Sequence, residues 1–133
     1  MDEIEIRLTV NGVLHTVQTE PCSTLLEVLR NRLGLSGAKE GCGAGDCGAC
    51  VVLMDRQAVN ACLVLAAQAN GAEILTVEGL AQEGKLHPLQ HFFAEKWALQ
   101  CGFCTPGMLM SCYALLLSNP HPTPDEIRTA IAG

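Results

Sequence analysis

The chain has 133 residues, enough for one ordinary domain or two small ones, and 49% of them are apolar, which predicts packed cores rather than disorder. Its net charge of -6, scattered basic residues and few aromatic side chains argue against nucleic acid as a partner. No apolar run approaches the roughly 18 residues that a membrane helix needs, and the acidic start MDEIEIRLTV is unlike a secretory signal, so we expect a cytoplasmic protein with no membrane span.

Residues 1–77 are predicted to form a domain of mixed α and β structure. Alternating apolar residues predict two strands within 4–19, joined at Asn11-Gly12, a strong hairpin signal. Thr24 stands three residues before Glu27 in a capping-box spacing, which predicts a helix over 24–33. The other elements predicted in this half are a structured glycine-rich loop over 35–50, strands near 50–54 and 58–61 with 55–57 as their turn, a helix over 63–69, and a strand over 74–77.

The pattern becomes helical after Val77, which predicts a second domain over 78–133. Three segments carry helical periodicity, and each opens with a proline near its first helical position; they are 88–99, 106–117 and 124–131. Residues 78–86 are expected to link the two domains. The fold class is therefore α+β, followed by an all-helical part.

Eight cysteines are too many for ordinary packing in a cytoplasmic protein, where metal binding is commoner than disulfides. Four of them follow the C-x4-C-x2-C pattern with a distant fourth cysteine, which is typical of plant-type [2Fe-2S] ferredoxins. These proposed ligands are Cys42, Cys47, Cys50 and Cys62. Three thiolates so close in sequence converge only if the backbone folds tightly, which glycine permits. Glycines also let N–H groups approach the inorganic sulfides; they are Gly41, Gly43, Gly45 and Gly48.

Two other interpretations of this loop are weaker. A structural zinc site on the same cysteines is disfavoured because zinc sites use paired C-x2-C knuckles. The run 43–48 also matches the dinucleotide-binding pattern G-x-G-x-x-G by letter. That pattern must follow a strand and open a helix, whereas this run follows a predicted helix and precedes a predicted strand, so we reject it.

A second cysteine pair, Cys101 and Cys104, forms a C-x2-C motif where two predicted helices meet. Two thiolates do not complete an iron-sulfur cluster, which usually needs four. The remaining cysteines, Cys22 and Cys112, stand in helix-flanking and apolar contexts, so we expect them to pack as small hydrophobic residues.

The chain resembles the small two-cluster subunit of the xanthine dehydrogenase and aldehyde oxidoreductase family of molybdenum hydroxylases. The resemblance is carried by two runs in this order, GCGAGDCGACVVL and QCGFCTPGM, with Cys62 between them. The resemblance covers essentially the whole chain. It implies a β-grasp ferredoxin domain and then a four-helix-bundle type of domain with a second [2Fe-2S] cluster. Cys101 and Cys104 would be ligands of that cluster. In the family, the other two cluster ligands come from a C-x-C motif. That motif follows the segment that reads EIRTAIAG in this chain, so this helical domain, which ends at Gly133, is expected to be truncated.

The resemblance also implies partners. A large subunit would hold a molybdopterin-type molybdenum cofactor and a medium subunit would hold FAD, in a heterotrimer or a dimer of heterotrimers. Gln100 would contact the pterin, and the chain would relay electrons between molybdenum and FAD without a catalytic side chain of its own. The alternatives are a stand-alone soluble ferredoxin, which needs no helical half, and a zinc-stabilised interaction module, which would be colourless.

Overall fold

A computed structural model, describing residues 2–98 and 100–132, has a five-stranded sheet at its centre. The strands are β1 (Ile4–Val10), β2 (Val13–Thr19), β3 (Val51–Met54), β4 (Gln57–Asn60) and β5 (Glu73–Leu75). Their order across the sheet is β2-β1-β5-β3-β4. β1 and β5 run parallel and all other neighbours run antiparallel. This arrangement, with a helix across one face, is the predicted β-grasp fold.

The hairpin between β1 and β2 closes at the predicted two residues. Asn11 and Gly12 both have positive φ, 51° and 83°, as a primed hairpin turn requires. The Asn11 side chain also holds the end of β5, because it accepts the Thr76 N–H at 2.9 Å and donates to the Thr76 hydroxyl at 2.9 Å. This explains why β5 ends at Leu75 rather than at the predicted Val77.

The predicted capping box starts the first helix, α1. The Thr24 hydroxyl accepts the Glu27 N–H at 3.1 Å and the Glu27 carboxylate accepts the Thr24 N–H at 3.3 Å. α1 spans Leu25–Glu27 and continues directly as a π-helical turn, Val28–Arg32. Its apolar side packs on the sheet in the main core, whose fully buried side chains include Ile6, Leu8, Leu25, Val28, Leu29, Val52 and Ile74.

Two details of the first half differ from the prediction. The β3–β4 turn has two residues instead of three, because Asp55 and Arg56 both adopt positive φ, 50° and 71°, and Gln57 already pairs with Met54. The helix predicted over 63–69 shrinks to a 3-10 turn, Ala66–Ala69, because Leu65 pairs with Thr24 as a β-bridge.

The second half is helical, as predicted. Its helices are α2 (Pro88–Glu95), α3 (Thr105–Ser118) and α4 (Pro124–Ala130). α2 ends before the predicted residue 99 because Trp97 has a φ of 54°, outside the helical region; Leu99 itself lies outside the described residues. Among the described helices, none has the length and apolar character of a membrane span.

The two faces of β3 bind the two halves together. Val52 points into the core beneath α1, whereas Val51 and Leu53 point to the opposite face and pack with Leu109 and Met110 of α3. Alternation along a strand produces these two faces. The helical half therefore lies directly on the sheet, through a second apolar core.

Candidate metal centre

The loop after α1 wraps its backbone around the sulfur of Cys42. Three N–H groups donate to this Sγ, from Ala44 at 3.3 Å, Asp46 at 3.2 Å and Cys47 at 3.3 Å. Positive φ angles at Gly43 (67°) and Gly45 (84°) turn the chain so that these groups converge. Donors aimed at one sulfur stabilise its thiolate, and they lower the pKa of Cys42 to about 6. The site is thus preorganised for a negatively charged sulfur.

Cys47 lies beside Cys42, to whose Sγ it donates its backbone N–H at 3.3 Å, and its own Sγ accepts the Ala49 N–H at 3.4 Å. Gly41 faces this sulfur so closely that an added Cβ would lie 2.8 Å from Sγ. Glycine is therefore needed at position 41 for close approach of the backbone to sulfur. The predicted approach of loop N–H groups to inorganic sulfides stays a prediction.

Cys50 and Cys62 form a second pair of sulfurs. Cys50 immediately precedes β3 and Cys62 follows β4, so the hairpin brings their Sγ atoms to 3.4 Å. Burial, with a contribution from the neighbouring Cys62, raises the pKa of Cys50 to about 11. Without a cation the Cys50 thiol stays protonated at neutral pH, whereas a bound metal would favour its thiolate.

The two sulfur pairs fit a two-iron cluster better than a single ion. A four-coordinate zinc needs its ligands around one point; in the part of the chain that the structure describes, no three His, Cys, Asp or Glu side chains are grouped so as to hold one metal ion. A [2Fe-2S] cluster spreads four thiolates over two irons, so only pairs need to meet. The Cys42 and Cys47 pair and the Cys50 and Cys62 pair provide this arrangement.

Asn60, which the sequence did not single out, connects the two pairs. Its side chain donates to the Gly45 carbonyl at 3.4 Å, and its Oδ1 lies 3.7 Å from the Cys50 Sγ. It therefore ties the loop around Cys42 to the hairpin that carries Cys50. Asn60 lies at the end of β4, two residues before Cys62. This position indicates a role at the site only once the pairing of β3 with β4 is known.

The second cysteine motif lies next to the first loop. Cys104 occupies the N-cap position of α3 without a side-chain hydrogen bond to the helix, and both Cys104 and Cys101 are exposed. One narrow cleft is lined by Cys47 and Gly48 from the first loop and by Cys104, Gly107, Met108, Ser111 and Ile131 from the helical half. Spacing alone did not predict this juxtaposition.

The other predicted residues have mixed outcomes. Gln100 is exposed on the segment that leads into the second motif. Cys112 is half-buried on α3, in agreement with a packing role. The expectation of burial was wrong for Cys22, which is exposed because it lies in the turn before α1 begins. Phe103 was missed; it is 44% exposed, its ring edge faces Gly41, and the Lys39 ammonium lies 6.0 Å from the ring centre.

Comparison with known proteins agrees with this geometry. Residues 8–79 match the family described as "2Fe-2S iron-sulfur cluster binding domain", and residues 76–133 match the family described as "[2Fe-2S] binding domain". The nicotinate dehydrogenase small FeS subunit of Eubacterium barkeri is 47% identical over 133 residues, which cover 100% of this chain and 85% of that protein. The xanthine dehydrogenase iron-sulfur-binding subunit of Escherichia coli O157:H7 is 45% identical over 135 residues, which cover 99% of this chain and 84% of that one.

A solved structure is similar over the whole chain. A chain of quinoline 2-oxidoreductase from Pseudomonas putida 86 superimposes with a TM-score of 0.96 at 44% identity, covering 100% of this chain and 82% of that chain. The sequence identity is high over nearly the full length, and both cysteine motifs lie in the matched region. This supports membership of the same family and not only a shared fold. The chain belongs to the small [2Fe-2S] subunits of the xanthine dehydrogenase and aldehyde oxidoreductase family of molybdenum hydroxylases.

Proposed function

We propose that this chain relays electrons between a molybdenum centre and FAD, which larger partner subunits hold. The observation that carries the proposal is the cleft that Cys47 and Cys104 line together, because it sets two candidate metal sites side by side. A chain of closely spaced one-electron sites is what an electron relay needs, and electrons can pass along it in either direction.

The first site would hold a [2Fe-2S] cluster, with Cys42 and Cys47 on one iron and Cys50 and Cys62 on the other. When bound, such a cluster accepts and releases single electrons. The chain itself supplies the four sulfurs, the N–H donors around Cys42 and the burial of Cys50. Hydrogen bonds to sulfur and solvent exposure are the means by which a protein adjusts the reduction potential of a cluster.

The second site would hold another [2Fe-2S] cluster, with Cys101 and Cys104 as two of its ligands. We propose that a C-x-C following α4 supplies the other two. Ile131, directly after α4, lines the cleft beside Cys104, which supports this route for the chain. We likewise propose residues 1–77 and 78–133 as the two domains, each with one cluster.

Gln100 is proposed to contact the pterin of the molybdenum cofactor. Its exposed position, one residue before Cys101, leaves its amide available to a partner subunit. The family resemblance favours assembly with a large molybdenum subunit and a medium FAD subunit into a heterotrimer, or into a dimer of such heterotrimers. We propose that this complex is cytoplasmic. The substrate would bind on another subunit.

The alternative, a stand-alone ferredoxin, does not account for the helical half that packs on β3. Both functions can be tested by purifying the tagged chain, under exclusion of oxygen, from a host that also expresses the candidate partner subunits. The relay requires co-elution with a molybdenum-containing subunit and two [2Fe-2S] signals in EPR. Elution of the chain by itself would contradict it. A colourless chain that contains zinc would contradict both electron-transfer functions, and Cys22→Ser is a matched control that should change nothing.

A further inference from the structure

Gly107, in the first turn of α3, makes a contact that only glycine can make. It is buried, and a Cβ built on it would overlap the carbonyl oxygen of Gly48; the same Cβ would lie 2.9 Å from the Gly48 carbonyl carbon and 3.0 Å from the Ala49 Cα. All three neighbours are backbone atoms, so no side-chain rotation relieves the overlap. Glycine is a poor helix former, and this contact gives a physical reason for the presence of glycine at position 107.

The contact joins the two cysteine motifs by their backbones. Gly48 directly follows Cys47, and its carbonyl accepts the Val51 N–H at 3.2 Å, which ties it to the start of β3. Gly107 stands three residues after Cys104, on the same helix start. The approach of Gly107 to Gly48 therefore determines how close the helix start that carries Cys104 can come to the loop that carries Cys47.

We infer that Gly107 is a positioning residue that sets the distance between the two metal sites, and with it the rate of electron transfer between them. This inference rests on the proposed function. In each transfer one site loses a single electron and the other gains it, and no proton or atom moves with it. Electron tunnelling slows steeply with distance, so a small displacement of α3 changes the rate without changing either site's own ligands.

The test is Gly107→Ala in the assembled complex. The added methyl group must push α3 away from the loop by about 1 Å, because carbon atoms pack no closer than about 3.5 Å and the surrounding core is dense. We expect both EPR signals to persist at full spin count. The magnetic dipolar coupling between the two reduced sites should weaken, since it falls with the cube of distance, and rapid-mixing kinetics should show slower transfer between them. An unchanged or stronger coupling would overturn the inference.

Met108→Ala is the matched comparison, and it remains informative if Gly107→Ala does not assemble. Met108 lines the same cleft, but its truncation leaves the backbone contact in place. We expect the wild-type dipolar coupling in this variant; a weakened coupling would mean that side-chain packing sets the spacing, which overturns the inference. If the wild-type complex holds fewer than two clusters, the proposed function and the inference are both overturned. If the wild-type complex holds two clusters and Gly107→Ala shows the same dipolar coupling as the wild type, the inference alone is overturned.

Discussion

Replacement of Cys47 by serine should remove the first cluster and disorder its loop while the sheet stays folded. Cys47 Sγ lies against the Gly41 backbone and accepts the Ala49 N–H, so the sulfur contacts the loop on both sides of its own position in the chain. A hydroxyl in its place is a poor substitute for a thiolate, which is the ligand that iron-sulfur clusters use. We therefore expect Cys47→Ser to lose the cluster rather than to hold it more weakly.

The extent of the loop disorder in Cys47→Ser depends on which interactions hold the loop in place. Residues 41–48 contribute no side chain to either described apolar core. Fixing their backbone costs roughly 1–2 kcal/mol per residue, and without the cluster that cost is opposed mainly by a few hydrogen bonds to sulfur and to the Gly45 and Gly48 carbonyls. The main core around Ile6 and Leu29 does not depend on these bonds.

Two measurements on the purified complex check this prediction. Iron and acid-labile sulfide should fall by about half if the complex holds two [2Fe-2S] clusters. Hydrogen exchange should show the amides of 43–48 losing all protection while those of β1 and α1 keep theirs. Cys22→Ser, an exposed cysteine outside the loop, is the control and should match the wild type. Wild-type iron and sulfide in Cys47→Ser would refute the reasoning.

Three further predictions concern other parts of the chain. Gln100→Ala should leave both cluster spectra unchanged yet slow reduction of the clusters by substrate in the assembled enzyme; wild-type turnover would count against the pterin contact. Met110→Ala should lower the unfolding free energy by about 2–5 kcal/mol in urea titrations, because Met110 is fully buried between α3 and the sheet; a loss below about 1 kcal/mol would contradict that packing. In the metal-free chain, iodoacetamide should modify Cys42 at pH 7 before Cys50, since the Cys42 pKa is lowered to about 6 and the Cys50 pKa is raised to about 11; equal rates by mass spectrometry would argue against the N–H cradle.

The parts of the fold that the sequence predicted are those that depend on near neighbours along the chain. The Asn11-Gly12 turn and the capping box of Thr24 with Glu27 each depend on residues at most three apart, and both form as expected. The four-cysteine spacing is a local signal of the same kind. Its three closely spaced members can meet only if the loop turns back on itself.

The parts that the sequence missed depend on contacts between distant segments. Arg56 has a φ of 71°, which no propensity of arginine suggests and which the pairing of β3 with β4 imposes. Asn60 reaches the Gly45 carbonyl only after the hairpin has closed. The approach of Gly107 to Gly48 joins residues 59 positions apart, and a glycine in a helix gives no indication of its partner.

One strand-to-helix contact locates both candidate metal sites. β3 starts directly after Cys50, and α3 starts directly after Cys104. The apolar residues that follow these cysteines on each element pack against one another across the second core, with Val51 and Leu53 facing Leu109 and Met110. Since a buried core is dense and yields little, it holds α3 on β3, and the backbone contact of Gly107 with Gly48 then limits how closely the two cysteine motifs approach. Leu80, within the proposed linker 78–86, is buried in the same core, so this segment adds to the packing that holds α3 on β3.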